Sequence, residues 1–237
     1  MRIIAENSGR KLIQDLKIQN KKLGELCLST AHELDCNGIP KENNFVTALY
    51  NSSGKKLGHE IFSLNSSLKE IFEFFLTVED EYQKRFRIGE QLRLSSIIAM
   101  LENGIKKINL YSKDTAIYYH SKYKFKPDIV GFSDRDAVLK NIASDSHPLL
   151  KPEAQSAVEL IRQIEENKNN PAFLRDACKS ANKIVQAYIN KVLESKLPQN
   201  EHKFNRGMNM VLEDSNIIEN REFFNNIYQK HAIDYKI

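Results

Sequence analysis

Ile71 to Val78, Ile-Phe-Glu-Phe-Phe-Leu-Thr-Val, is a nearly continuous apolar run built mostly from β-branched and aromatic residues. A run of this length and character predicts a central strand buried on both faces. Polar Glu79 to Arg87 follows, and from Gly89 to Asn103 the residues Leu92, Ile97, Ile98 and Leu101 fall at helical spacing, with Gly104 as a stop. Ile105 to Ser112 alternates as a strand. Asp114 to Tyr123 predicts a short helix with Asp114 as N-cap, and Phe125-Lys126-Pro127 leads into a strand near Ile129 to Phe132. Strands separated by crossover helices argue for a mixed α/β sheet.

Upstream, Leu12 to Gln19 and Leu23 to Thr30 flank Asn20-Lys21-Lys22 as a hairpin, although Lys11 to Leu26 also reads as a helix. Phe45 to Tyr50 and Leu57 to Leu64 flank Asn51-Ser52-Ser53-Gly54, a stronger turn signal. After about residue 145 the character changes, and Pro148 and Pro152 punctuate the boundary, with Pro152 suited to a first helical turn. Phe173, Ala177, Ala181, Ile184, Tyr188 and Val192 make an amphipathic stripe over Pro171 to Lys196. Helices near His202 to Leu212 and Ile217 to His231 complete the expectation. The predicted organisation is an α/β domain over residues 1–145 and an all-helical domain over residues 146–237.

The chain has 237 residues, enough to bury a sizeable core, and its 41% hydrophobic and 28% charged residues are those of a globular protein. A net charge of +4 without a basic stripe argues against nucleic acid as a partner. Cys27, Cys36 and Cys178 show neither metal nor redox spacing, and His32-Glu33 and His59-Glu60 lack a second histidine four residues on, so no metal is expected. Met1 to Asp15 lacks the apolar run of a secretory signal, and no stretch is long and apolar enough to span a membrane. A cytoplasmic location follows as an expectation.

The chemistry concentrates where the apolar strand hands over to the helix at Ile88-Gly89. A helix N-terminus offers free amides and a positive dipole end, and Lys84, Arg85 and Arg87 add charge at the same place, so the natural occupant is a pyrophosphate. Strand, Val78, Tyr82, then Ile88-Gly89 and Leu92 resemble motif A of the GNAT N-acetyltransferase superfamily, whose Arg/Gln-x-x-Gly-x-Gly/Ala turn wraps coenzyme A. Aligned on Gly89, Lys84 takes the Arg/Gln position and Arg87 stands where the family has its first Gly. Asp114 to Pro127 is similar to motif B through Ala116, an aromatic pair, Lys122, Phe125 and Pro127, with Lys124 at the family's Gly. The resemblance covers about residues 45–132 well, residues 1–44 poorly and residues 146–237 not at all.

The resemblance implies a mostly antiparallel, twisted sheet with flanking helices, acetyl-CoA as cofactor, and acyl transfer to an amine of a protein or small molecule. It places the coenzyme against Val78, Lys84, Arg85, Phe86, Arg87, Ile88, Gly89 and Glu90. Tyr119 or His120 takes the role of the acid that protonates the departing thiolate. Glu73 within the central strand, or Glu79 or Asp80 at its end, are base candidates, because a buried carboxyl gains basicity. Non-glycine residues at 87 and 124 leave open a second possibility, a domain that binds coenzyme A or a protein partner without turnover. A third is docking on another protein through the helical tail. The acidic residues Glu213, Asp214, Glu219 and Glu222 also fit an exported bacterial effector.

Overall fold

The structure is a computed structural model that describes residues 14–83, 86–114 and 116–237. The chain forms two compact units. One comprises residues up to Asn109 together with Glu213–Ile237, and the other is Leu110–Leu212. The composition change pointed instead to a division near residue 145. No helix among the described residues is long and apolar enough to cross a membrane.

The first unit is built on an antiparallel meander of β1 (Gln14–Asn20), β2 (Gly24–Leu34), β3 (Pro40–Asn51), β4 (Lys56–Asn65) and β5 (Glu70–Val78). Both expected hairpins form, and β1 excludes the helical alternative for its segment; Leu12 and Ile13 lie outside the described residues. The β1–β2 turn closes because Asn20 Oδ1 accepts from the amides of Lys22 and Leu23, and the β3–β4 turn because Asn51 Oδ1 accepts from Ser53 and Lys55. Each turn ends in a glycine at positive φ, Gly24 at 76° and Gly54 at 79°.

Helix α1 (Ile88–Glu102) covers one face of β3, β4 and β5. It is buried almost all round, which is why its apolar residues make no sharp stripe. Leu26, Leu28, Phe45, Leu49, Phe62, Leu64 and Ile71 alternate onto the buried face, and Phe45 stacks on Phe62 at 5.6 Å. Gly58 makes close packing possible, since a Cβ there would lie 2.7 Å from the Thr77 carbonyl oxygen and 3.2 Å from both Ile88 and Leu92.

The opposite face of β5 differs from expectation. Phe74 and Phe75 are 51% and 65% exposed, so the central strand is buried on one face only. The ladder explains part of this. Ile61 pairs with Phe75 and Phe62 with Glu73, so Phe74 is the extra residue of a β-bulge that turns consecutive aromatics outward. The unit is completed by the start of β6 (Lys107–Ser112) and by α6 (Asp214–Glu219) and α7 (Arg221–Lys230). In this tail Asp214 pairs with Lys106.

The second unit carries α2 (Ala116–Lys122), β7 (Lys126–Pro127), α3 (Phe132–Ala143), α4 (Lys151–Glu166), α5 (Pro171–Glu194) and β8 (Met208–Glu213). Helices α3, α4 and α5 pack on one another. The amphipathic stripe over 171–196 forms as expected, with Pro171 in the first turn and Asn170 accepting from the Phe173 amide.

Two segments depart from the expectation. Ile129 is not in a strand: Asn182 of α5 supplies both partners a strand would, its Oδ1 accepting from the Ile129 amide at 2.9 Å and its Nδ2 donating to the Ile129 carbonyl at 3.3 Å. Phe132 then opens α3. Residues 208–212, expected within a helix, belong to β8, which pairs antiparallel with β7 through Lys126–Val211 and Pro127–Met210. Gly207 admits this strand, for a Cβ would lie 2.7 Å from the Ser112 carbonyl oxygen and 2.8 Å from the Tyr111 hydroxyl. The fold as a whole is mixed α+β, mostly antiparallel, with a helical C-terminal region interrupted by β8.

Candidate functional site

In the first unit the strand-to-helix turn at the head of α1 concentrates the residues expected to meet a coenzyme. Val78 ends β5, and Lys84 and Arg85 lie outside the described residues. Phe86 is half-buried, and its carbonyl accepts from Asn20 Nδ2 at 2.7 Å, which ties the β1–β2 turn to the approach to α1. Arg87 is the N-cap. Its backbone is left-handed, φ 58° and ψ 32°, and its side chain makes no capping hydrogen bond. The first amides of a helix lack intrahelical acceptors, so the turn presents donors and a positive dipole end.

Position 87 is where motif A carries glycine, and the left-handed backbone is the conformation glycine adopts freely. Lys124, at the motif B glycine, is also left-handed with φ 68°. Both residues therefore hold a backbone shape that glycine adopts freely, at a cost of about 1–2 kcal/mol each.

Ile88 is fully buried, so it can offer a ligand only its backbone. Glu90 is also turned inward. Its Oε1 accepts from Lys230 Nζ at 2.9 Å and meets His231 Nε2 at 2.5 Å, while Arg87 Nη1 lies 3.6 Å away. Gln91 Nε2 is 3.1 Å from His231 Nδ1, and the Gln19 amide donates to the His231 carbonyl at 3.0 Å. The end of α7 is thereby fastened to the start of α1. Nothing in the sequence marked Lys230 or His231, since they lie 140 and 141 residues from Glu90.

Glu73 sits on the α1 face of β5. Its carboxylate and that of Glu60 from β4 both pair with Arg93 of α1. Arg93 and Glu60 side chains are 1% and 0% exposed. Burial drives the Glu60 carboxyl well above the usual carboxylate range, and the Glu73 carboxylate pushes the same way against the opposing pull of Arg93. Two carboxylates facing one guanidinium in a dry core carry a net negative charge unless one of them holds a proton.

On the opposite face of the same sheet stands His59, a residue the sequence offered only as half of a failed metal motif. It pairs across the ladder with Thr77 of β5. Its Nδ1 is buried and has no hydrogen-bond partner among the described residues. Burial holds the imidazole below its ordinary range, Lys56 adds to the effect and Glu79 opposes it. The ring is therefore neutral at neutral pH and able to accept a proton. Glu79 lies beside it, and Asp80 opens the short 3-10 turn of residues 80–82.

In the second unit Tyr119 and His120 both lie on α2, with ring centroids 5.2 Å apart. Tyr119 lines a cavity of about 420 Å³ with Tyr118, Lys122, Leu193 and His202, whereas His120 is buried against Phe125 at 5.8 Å. Tyr118 donates to the Phe204 carbonyl at 3.1 Å, so its oxygen is left to accept from His202 Nδ1 at 3.2 Å. Asp145 anchors this end of the unit. Burial alone would raise its carboxyl, but Tyr188 Oη at 2.6 Å and the amides of Lys203 and His147 at 2.7 and 2.9 Å hold it lowered. Among the described residues no group of His, Cys, Asp and Glu is arranged to hold a metal ion.

No protein-family model matches this sequence, and no curated protein matches it significantly. Among solved structures the chain is similar to Tetrahymena Gcn5, with 20% identity over 38% of this chain and 55% of that one, at a TM-score of 0.35. It is similar to an acetyltransferase of the GNAT family from Staphylococcus aureus, with 19% identity over 36% and 55% of the two chains, at a TM-score of 0.33. A third is the PaiA N-acetyltransferase of Thermoplasma acidophilum in complex with coenzyme A, with 19% identity over 36% and 54%, at a TM-score of 0.31. The chain spans a little over half the length of these structures.

Proposed function

We propose that this chain binds acetyl-CoA at the head of α1 and transfers the acetyl group to an amine. The observation that carries the proposal is the left-handed Arg87 in front of an α1 N-terminus without a side-chain cap. The amides of that turn suit a pyrophosphate, and the backbone is the one motif A uses glycine to reach.

Acetyl transfer needs a neutral amine, a polarised thioester carbonyl and a proton for the leaving thiolate. The amine nitrogen attacks the carbonyl carbon, a C–N bond forms, the C–S bond breaks and the sulfur takes a proton. His59, neutral and on the open face beside β5, suits the base role better than Glu73, whose carboxylate is committed to Arg93. The bulge at Phe74 frees backbone from the β4 ladder, which is where a carbonyl oxygen would find a donor.

Calorimetric titration with acetyl-CoA tests the reading. Binding that weakens with salt and disappears in Gly89→Asp, which sets an anion at the head of α1, is the expected result. Absence of binding at millimolar coenzyme overturns it. Binding without turnover on any amine would favour the alternative, a coenzyme-binding module, for which the engagement of Glu73 by Arg93 is the supporting observation.

A further inference from the structure

Beside the head of α1 the first unit encloses a cavity of about 160 Å³ whose walls come from three separate stretches of chain. The β1–β2 turn contributes Asn20, Lys21 and Lys22, the N-cap contributes Arg87, and the end of α7 contributes Lys230 and His231. Phe86 lies between them, with Lys22 Nζ 5.9 Å from its ring centroid. None of the described lining residues is acidic. The carboxylate that reaches them is Glu90, one charge against the side chains of Lys21, Lys22, Arg87 and Lys230, and it is already shared by Lys230, His231 and Arg87.

The backbone that carries this charge is held in place. Asn20 fixes the lysine-bearing turn through two backbone amides and the Phe86 carbonyl. His231 is fixed by Glu90, Gln91 and the Gln19 amide. Several cationic side chains gathered around one cavity, next to a helix N-terminus, suit a multiply charged oxyanion. The space is large enough to admit a phosphate group.

We propose that this cavity is a phosphate-monoester site, distinct from the pyrophosphate-binding amides of α1, with Lys22, Arg87 and Lys230 as its cationic ligands. The proposal rests on the coenzyme reading for one of its two sources of phosphate. The dianion is either the terminal 3′-phosphate of coenzyme A or free inorganic phosphate.

Calorimetry with coenzyme A and 3′-dephospho-coenzyme A, and thermal unfolding with and without inorganic phosphate, separate the sources. A coenzyme source predicts that the wild type prefers coenzyme A by about tenfold. The preference should fall towards unity in Lys22→Gln and in Lys22→Gln/Lys230→Gln. Lys22 is exposed, so its single variant keeps the test free of any folding defect caused by loss of the Lys230–Glu90 pair. If neither coenzyme binds but phosphate raises the melting temperature of the wild type and not of the variants, the coenzyme reading falls and the phosphate site stands. Equal affinity for the two coenzymes with no stabilisation by phosphate overturns the proposal. So does a preference that both variants retain.

Discussion

Arg93 faces Glu60 and Glu73 with a single positive charge, and the imbalance makes stability depend on pH in a definite direction. The Glu60 carboxyl is raised in the folded state, so the folded chain holds a proton that the unfolded chain releases near its ordinary value of 4.5. Stability is then fully present below that value and declines as pH rises towards the folded value, by about 1.4 kcal/mol per pH unit for one proton. Glu60→Gln keeps the shape without the ionisable proton, and urea denaturation between pH 5 and 9 should show a flatter profile for it than for the wild type. Arg93→Met should cost about 3–5 kcal/mol, because it strands two buried carboxylates. Arg87→Gly tests a different residue property. It relieves a left-handed side chain but loosens the unfolded chain, so stability should stay within about 1 kcal/mol while coenzyme affinity falls. At this scale the sequence displayed the residue types but hid their conformations. Arg87 and Lys124 looked like departures from a glycine motif, and only their φ angles show a left-handed backbone of the kind that glycine adopts freely. Glu73 looked like a base because its partner Arg93 is twenty positions away on another element.

Strands and helices were easier to read where periodicity came from one well-packed face. The Asn51-Gly54 turn, α1 and α5 follow from local signals that packing reinforces. Segments whose backbone partners come from far away were not readable in this way. Ile129 is satisfied by a side chain 53 residues on, and β8 is a strand because β7 offers an edge more than 80 residues back. Asn182→Ala should therefore destabilise the second unit by about 1–3 kcal/mol, since it orphans a backbone N–H and a C=O together, and thermal unfolding would measure it. Gly58→Ala belongs to the same scale. Its Cβ would press on the Thr77 carbonyl oxygen at 2.7 Å, so β4 and β5 must separate, at about 1–3 kcal/mol of overpacking. A control at Gly38, where a Cβ meets nothing within 4 Å but φ is +76°, should show only the smaller conformational cost.

At the scale of the whole molecule, the first unit draws on residues up to Asn109 and after Leu212. Truncation after Leu212 removes Phe224 and Tyr228 from its core and releases Glu90 from Lys230 and His231. Hydrogen exchange on that truncated chain should show protection lost across β1–β5 and α1 and retained in α3–α5, and equal loss in both units would refute their separate cores. Composition and proline placement signalled a change of character near residue 145, but they could not reveal that the chain returns to complete a unit begun a hundred residues earlier.

That return has a consequence in time. A ribosome adds residues at about 5–20 per second, so the β-meander waits roughly 5–20 s, while some hundred intervening residues are made, before α7 can dock on the head of α1. During that interval Glu90 has its carboxylate but neither Lys230 nor His231 to meet it. The interrupted unit must finish last although it was started first, and Phe74 and Phe75 of β5 are on its surface throughout.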